Sequence, residues 1–180
     1  MARNIEIKAR IENIDSIFQR AAALADDGPV VIIQDDTFFA CHNGRLKLRV
    51  FSPEEGQLIF YRRPDRKGPK ESFYLISPTT APNSLRESLS LAYGQTGRVR
   101  KNRTLFLAGR TRIHLDLVEG LGKFLELEVV LEEGELAETG EAIARDLMEK
   151  LGVQSDQLIE GAYIDLLASK TAERNVGADR

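Results

Sequence analysis

One cysteine, two histidines and no apolar run near the length of a membrane span set the first limits on this 180-residue chain. Cys41 has no partner for an intramolecular disulfide, so a reducing cytoplasm is the expected compartment. His42 and His114 are too few for a histidine-based zinc site, and no cysteine cluster supplements them. A membrane helix needs about 20 mostly apolar residues, and the N-terminus lacks the apolar stretch of a secretory signal, so no membrane partner is expected. No phosphate-binding P-loop is present. Gly120-Leu121-Gly122 lacks the rest of a dinucleotide fingerprint and precedes a strand pattern, which removes a Rossmann reading.

What is abundant is charge, and it is unevenly placed. The net charge is -3, yet residues 45–112 hold 15 Lys and Arg against 5 acids, while residues 113–168 hold 3 against 14. Oppositely charged halves attract when they fold together. They also allow one half to supply anion ligands and the other metal ligands. A continuous basic track for nucleic acid is opposed by the acidic half, so no nucleic-acid partner is expected.

Side chains on a strand alternate between its two faces. Asn4-Ile5-Glu6-Ile7-Lys8-Ala9-Arg10, Arg45-Leu46-Lys47-Leu48-Arg49 and Glu126-Leu127-Glu128 each place charge on one face and apolar residues on the other. Strand patterns cover 3–11, 30–39, 45–51, 57–63, 71–77, 97–107, 111–118 and 122–131. Helical spacing follows Asp15 as a cap, starts again at Asn83 or Ser84, and begins a third time at Thr139. A last short helix holds Tyr163, Leu166 and Leu167. The fold class that follows is α+β: an antiparallel eight-stranded β-barrel or tunnel with helices packed outside. One domain is expected over residues 1–169, with a disordered tail over 170–180.

If the charged faces converge inside such a barrel, they make a polar interior. Lys8 shares a face with Glu6, Lys47 with Arg49, and Lys101 with Arg103; Arg112 shares one with His114 and Asp116. Arg62 and Arg63 are neighbours and point opposite ways, so at most one faces inward. Paired cations on facing strands suit phosphate oxygens. Glu6, Asp116, Glu126 and Glu128 supply carboxylates, which suit Mg²⁺ or Mn²⁺. Solvated surface strands, or plain salt bridges between these acids and the arginines, are the competing readings. His114 is open between a phosphate ligand, a proton carrier and a core histidine; Tyr163 is read as packing.

Taken in order, these stretches resemble the CYTH family, the triphosphate tunnel metalloenzymes, across about residues 3–168. Asn4-Ile5-Glu6-Ile7-Lys8 matches its Glu-x-Glu-x-Lys signature except at Asn4. Gln34 to Phe39, Gly44 to Arg49, Tyr61-Arg62-Arg63-Pro64-Asp65, Lys101-Asn102-Arg103, His114-Leu115-Asp116 and Gly120 to Glu128 continue the match. The family includes class IV adenylyl cyclases, thiamine triphosphatases and inorganic triphosphatases. The resemblance implies a tunnel that binds a triphosphate (ATP, thiamine triphosphate or tripolyphosphate) with Mg²⁺ or Mn²⁺. Glu6, Asp116, Glu126 and Glu128 would hold metal, with Glu6, Glu126 and Glu128 catalytic. Lys8, Lys47, Arg49, Arg62, Arg63, Lys101, Arg103 and Arg112 would hold phosphate. The look is closest to the class IV cyclases, with hydrolysis of the triphosphate as the alternative. Asn4, a neutral ligand in place of an acid, keeps a non-catalytic nucleotide or polyphosphate binder open. A homodimer is compatible with the sequence but not specified by it.

Overall fold

The computed structural model describes residues 2–65 and 67–178, with side chains placed for 3–65 and 67–173. Eight strands carry the architecture: β1 (Ala2–Arg10), β2 (Asp27–Phe39), β3 (Arg45–Ser52), β4 (Glu55–Arg62), β5 (Lys70–Thr79), β6 (Gln95–Ala108), β7 (Thr111–Val118) and β8 (Gly122–Val130). They close in the order β1-β5-β4-β3-β2-β6-β7-β8, every pair antiparallel, and β8 returns to β1. The expected eight-stranded barrel is therefore the fold. Closure gives every strand a neighbour on each side.

Four helices complete the chain: α1 (Ile14–Leu24), α2 (Pro82–Tyr93), α3 (Ala137–Leu151) and α4 (Tyr163–Ala178). Asn13, not Asp15, caps α1, its side chain accepting from the Ser16 N–H; Asp15 lies in the first turn, where an acid complements the helix dipole. Gly152 ends α3 in the left-handed region at φ 74°, a conformation glycine adopts without a Cβ clash. The tail expected from Lys170 onward continues α4 through Ala178. Polar residues there are good helix formers, and Lys170 donates to the Gly120 carbonyl at 2.6 Å, tying the helix to the barrel. Residues 179 and 180 lie outside the described residues.

Strand alternation decides where the core sits. Ile5 and Ile7 of β1, Ile113 and Leu115 of β7, and Leu125, Leu127 and Val129 of β8 point outward and are fully buried beneath α1 and α3. Ala21 of α1 and Ala144, Leu147 and Leu151 of α3 complete that layer. The apolar core is therefore outside the barrel wall, and the opposite face of the same strands is free to be polar. A second cluster, Phe38, Ile59, Tyr61, Val99, Phe124 and Tyr163, seals one end of the barrel beneath the start of α4.

Gly140 sets how closely α3 approaches the wall. A Cβ there would lie 2.6 Å from side-chain carbons of both Ile5 and Leu131. Gly140→Leu is expected to destabilise the protein by about 1–3 kcal/mol, roughly 2–10 °C in Tm for a chain of this size. Thermal unfolding checks it, and an unchanged Tm would place α3 further from β1 than described.

Candidate active site in the barrel lumen

The inward faces of all eight strands line one cavity of about 350 Å³. Seven cationic side chains reach it: Lys8, Lys47, Arg49, Arg63, Lys101, Arg103 and Arg112. Four carboxylates face them: Glu6, Asp36, Glu126 and Glu128. Excess positive charge in an enclosed, partly dry space suits a polyanion. Each carboxylate is engaged by cations. Lys8 lies 2.9 Å from Glu126, and Arg103 also donates to Glu126. Arg112 donates to Glu128 at 2.8 Å, and Arg63 donates to Glu6.

These pairs follow from register. Lys8 stands across from Glu126 and Glu6 from Glu128 on the β1–β8 ladder. His114 stands across from Glu126, and Arg112 from Glu128, on the β7–β8 ladder. Asp36 of β2 stands across from Arg49 of β3. Arg49 grips it with two bonds of 2.8 and 2.7 Å, and Lys47 adds a third at 2.9 Å. The forked guanidinium matches the carboxylate, which is the strong form of such a pair.

Most of the residues expected in the site are brought together here, and two are not. Asp116 lies fully buried behind the lining. Arg103 grips it at 2.7 and 2.6 Å, Lys101 stands 3.3 Å away, and Tyr163 donates its hydroxyl at 3.0 Å. It pairs with Arg103 and Lys101 rather than lining the cavity. Arg62 points outward, its guanidinium 5.7 and 5.5 Å from the Phe60 and Phe73 rings, because Arg63 occupies the inward position. Three further residues belong to the site. Asp36 anchors Lys47 and Arg49, as its place on the alternate face with Gln34 and Phe38 allows. His114 lines the cavity. Tyr163 does more than pack: the ammonium of Lys8 sits 3.9 Å, and that of Lys101 5.0 Å, from its ring centroid.

Burial pushes the Asp36 carboxyl upward, but Arg49 and Lys47 reverse this and hold it far below the ordinary carboxylate range. Burial likewise raises Glu128, and His114, Arg112 and Arg103 bring it down to about 2. The lysines move the other way. Burial and the neighbouring Arg49 lower Lys47 to about 7, with Asp36 opposing. Burial and Arg103 lower Lys101 to about 8.

Among the described residues, one group in this lining could hold a divalent cation. Glu126, Glu128 and His114 each offer a ligand atom within 4.8 Å of the others. His114 Nδ1 and Asn4 Oδ1 are buried with no hydrogen-bond partner, which a ligand would supply. Two carboxylates with an imidazole suit a hard to borderline metal.

A family model described as CYTH domain matches residues 2–163. The adenylate cyclase CyaB of Aeromonas hydrophila is 25% identical over 170 residues, covering 88% of this chain and 85% of that protein. The PH1012 protein of Pyrococcus horikoshii OT3 matches with a TM-score of 0.80 and 24% identity, over 91% of this chain and 98% of that one. A Hippeastrum protein, described as an adenylyl cyclase with a dominant triphosphatase activity, matches at TM-score 0.66 and 16% identity, over 93% of this chain and 96% of that one. These two structural likenesses concern the fold.

The depressed lysines give a signed expectation. Lys47 is lowered to about 7 and Lys101 to about 8, and a bound polyanion would raise both again. ATP binding at pH 8 should therefore take up on the order of one proton, and affinity should fall as pH rises from 7 to 9. Calorimetry in buffers of different ionisation enthalpy measures this; proton release, or no exchange, would contradict it.

Proposed function

The chain belongs to the CYTH domain family, whose members act as adenylyl cyclases or triphosphatases, and on that premise we propose that it converts ATP to cyclic AMP and pyrophosphate. The observation that carries this reading is the lumen itself: seven cations facing four carboxylates in a closed barrel, with Glu126, Glu128 and His114 grouped so that they could hold a divalent metal. The CyaB relative, an adenylate cyclase by name, supports the cyclase side.

Substrate entry exchanges partners. Phosphate oxygens would take Lys47, Arg49, Lys101 and Arg103, and Glu126 and Glu128, with His114, would hold the metal. Mg²⁺ or Mn²⁺, when bound, would polarise phosphoryl oxygens and stabilise charge on the departing pyrophosphate. Glu6 and Asn4 stand on the same inward face of β1 and extend the oxygen donors toward that position. Asp36 and Asp116 hold the four phosphate-side cations in place, so the triphosphate meets a prepared charge distribution. Tyr163 closes the end behind Lys8 and keeps water from the phosphates. In the cyclase reaction the ribose 3′-oxygen attacks the α-phosphorus and the α–β bridging oxygen leaves with pyrophosphate.

Hydrolysis is the second reading, and the Hippeastrum neighbour favours it. There, water attacks the terminal phosphoryl group in the same grip. A cytoplasmic site of action fits the lone Cys41, and no described helix is long and apolar enough to cross a membrane.

Purified protein with Mg²⁺ or Mn²⁺, offered ATP, thiamine triphosphate and tripolyphosphate, separates the readings by product. Cyclic AMP with pyrophosphate is the expected result, and orthophosphate alone would transfer the assignment to a triphosphatase. Glu126→Gln or Glu128→Gln should lower metal-dependent turnover by about 100-fold or more with circular dichroism unchanged. Unaltered kinetics would remove these carboxylates from the reaction.

A further inference from the structure

Closure gives each strand two neighbours, but not along its whole length. β2 pairs with β6 from Asp27 to Phe39, whereas β3 covers its other side only from Asp35 to Phe39. β3 ends at Ser52, so β2 runs on past it with one side bare over residues 30–34, roughly 16 Å of strand. Among the described residues, no strand, helix or loop pairs with the backbone on that side. Alternate residues there turn an N–H and a C=O away from β6, an open template for another strand. The side chains are equally uncovered. Val30 is 50% exposed, Val31 70% and Ile33 69%, all β-branched and suited to the middle of a sheet. β5 carries a similar overhang, since its pairing with β1 stops at Tyr74 while β4 follows it to Thr79. That one is a poorer template, because Pro78 has no N–H to offer and Ser77 and Thr79 flank it.

We infer that the bare side of β2 is the contact between two copies of this chain, β2 of one pairing antiparallel with β2 of the other about a twofold axis. This does not depend on the triphosphate reading. Identical strands paired about a twofold match themselves, so the contact closes at two copies. Centred on Ile32, the pairing sets Val31 of each copy against Ile33 of the other, and Ile32 against its own equivalent. The exposed apolar side chains of the overhang thereby gain apolar cross-strand neighbours. The ends of the overhang match in charge. Asp26 and Asp27 lie exposed beyond one end, and among the described residues their carboxylates accept only from the backbone N–H groups of Gly109 and Gly28. At the other end Arg86, Arg98 and Arg100 gather around Asp35, with Glu119 beside Arg100, three cations against two acids. The twofold carries each acidic end to the basic end of the other copy. The product is one continuous sheet, β6-β2-β2-β6, joining two barrels. It also stiffens the rim of each lumen, because Ile32 lines the cavity.

Analytical ultracentrifugation of the full chain from about 1 to 100 µM, without nucleotide or metal, gives the first reading, and a reversible dimer is expected within that range. Val31→Lys with Ile33→Lys sets lysine against lysine across the twofold and should weaken the dimer about 100-fold or more. Both positions are exposed, and circular dichroism and Tm report on folding. Hydrogen exchange on the unsubstituted chain reads the contact independently of any variant. Alternate amides over residues 30–34 should exchange slowly at high concentration and quickly on dilution. A monomer at every concentration would overturn the inference and leave the bare side to a strand from another protein. A dimer that survives the double variant, or one that protects residues 75–79 of β5 instead, would overturn it as well.

Discussion

Arg103 joins two buried carboxylates: it grips Asp116 through two bonds and reaches Glu126 with the same guanidinium. A buried charge is costly unless it is paired and hydrogen-bonded, so this contact fixes what the strands around it must provide. β6 supplies the cation, β7 the anion directly across from it, and β8 supplies Glu126 from the next position along the same face. Asp36 with Arg49 and Lys47 repeats the device across the lumen, and Glu6 with Arg63 does so a third time. Removing one partner would leave another charge without its counter-ion in the lumen.

Such an interior contributes little to stability, and the fold finds its apolar burial elsewhere. The outward faces of β1, β7 and β8 meet α1 and α3 in the main core. That division gives every strand two tasks, packing on one face and charge on the other. On the proposed function the charged pairs exchange partners: the cations would take a triphosphate, and Glu126 and Glu128 a divalent metal. The depressed lysines measure how poorly the free lumen solvates its own ammonium groups.

Alternation was the legible signal. Lys8, Lys47, Arg49, Lys101, Arg103, Glu126 and Glu128 sit on strands whose apolar partners require the opposite face, and strand geometry leaves them only the lumen. The less legible features depend on contacts between distant segments. Nothing local separates Arg62 from Arg63; the choice is made where β4 ends and Arg63 meets Glu6 and the Gly161 carbonyl. Asp116 shares the parity of a metal ligand, yet Arg103 and Tyr163 enclose it from both sides. Tyr163 reads as packing until α4 folds across the barrel end and places its ring beneath Lys8. The extent of α4 was hidden by composition, because a polar helix tied down by Lys170 at Gly120 resembles a polar tail.

The central claim is that the lumen trades its internal ion pairs for metal and triphosphate. A crystal structure of the protein with Mn²⁺ and a non-hydrolysable ATP analogue addresses it directly. The account predicts anomalous scattering from Mn²⁺ between Glu126 and Glu128, phosphates against Lys47, Arg49, Lys101 and Arg103, and Lys8 parted from Glu126. An analogue bound outside the barrel, with the Lys8 and Arg103 ion pairs to Glu126 intact, would contradict it.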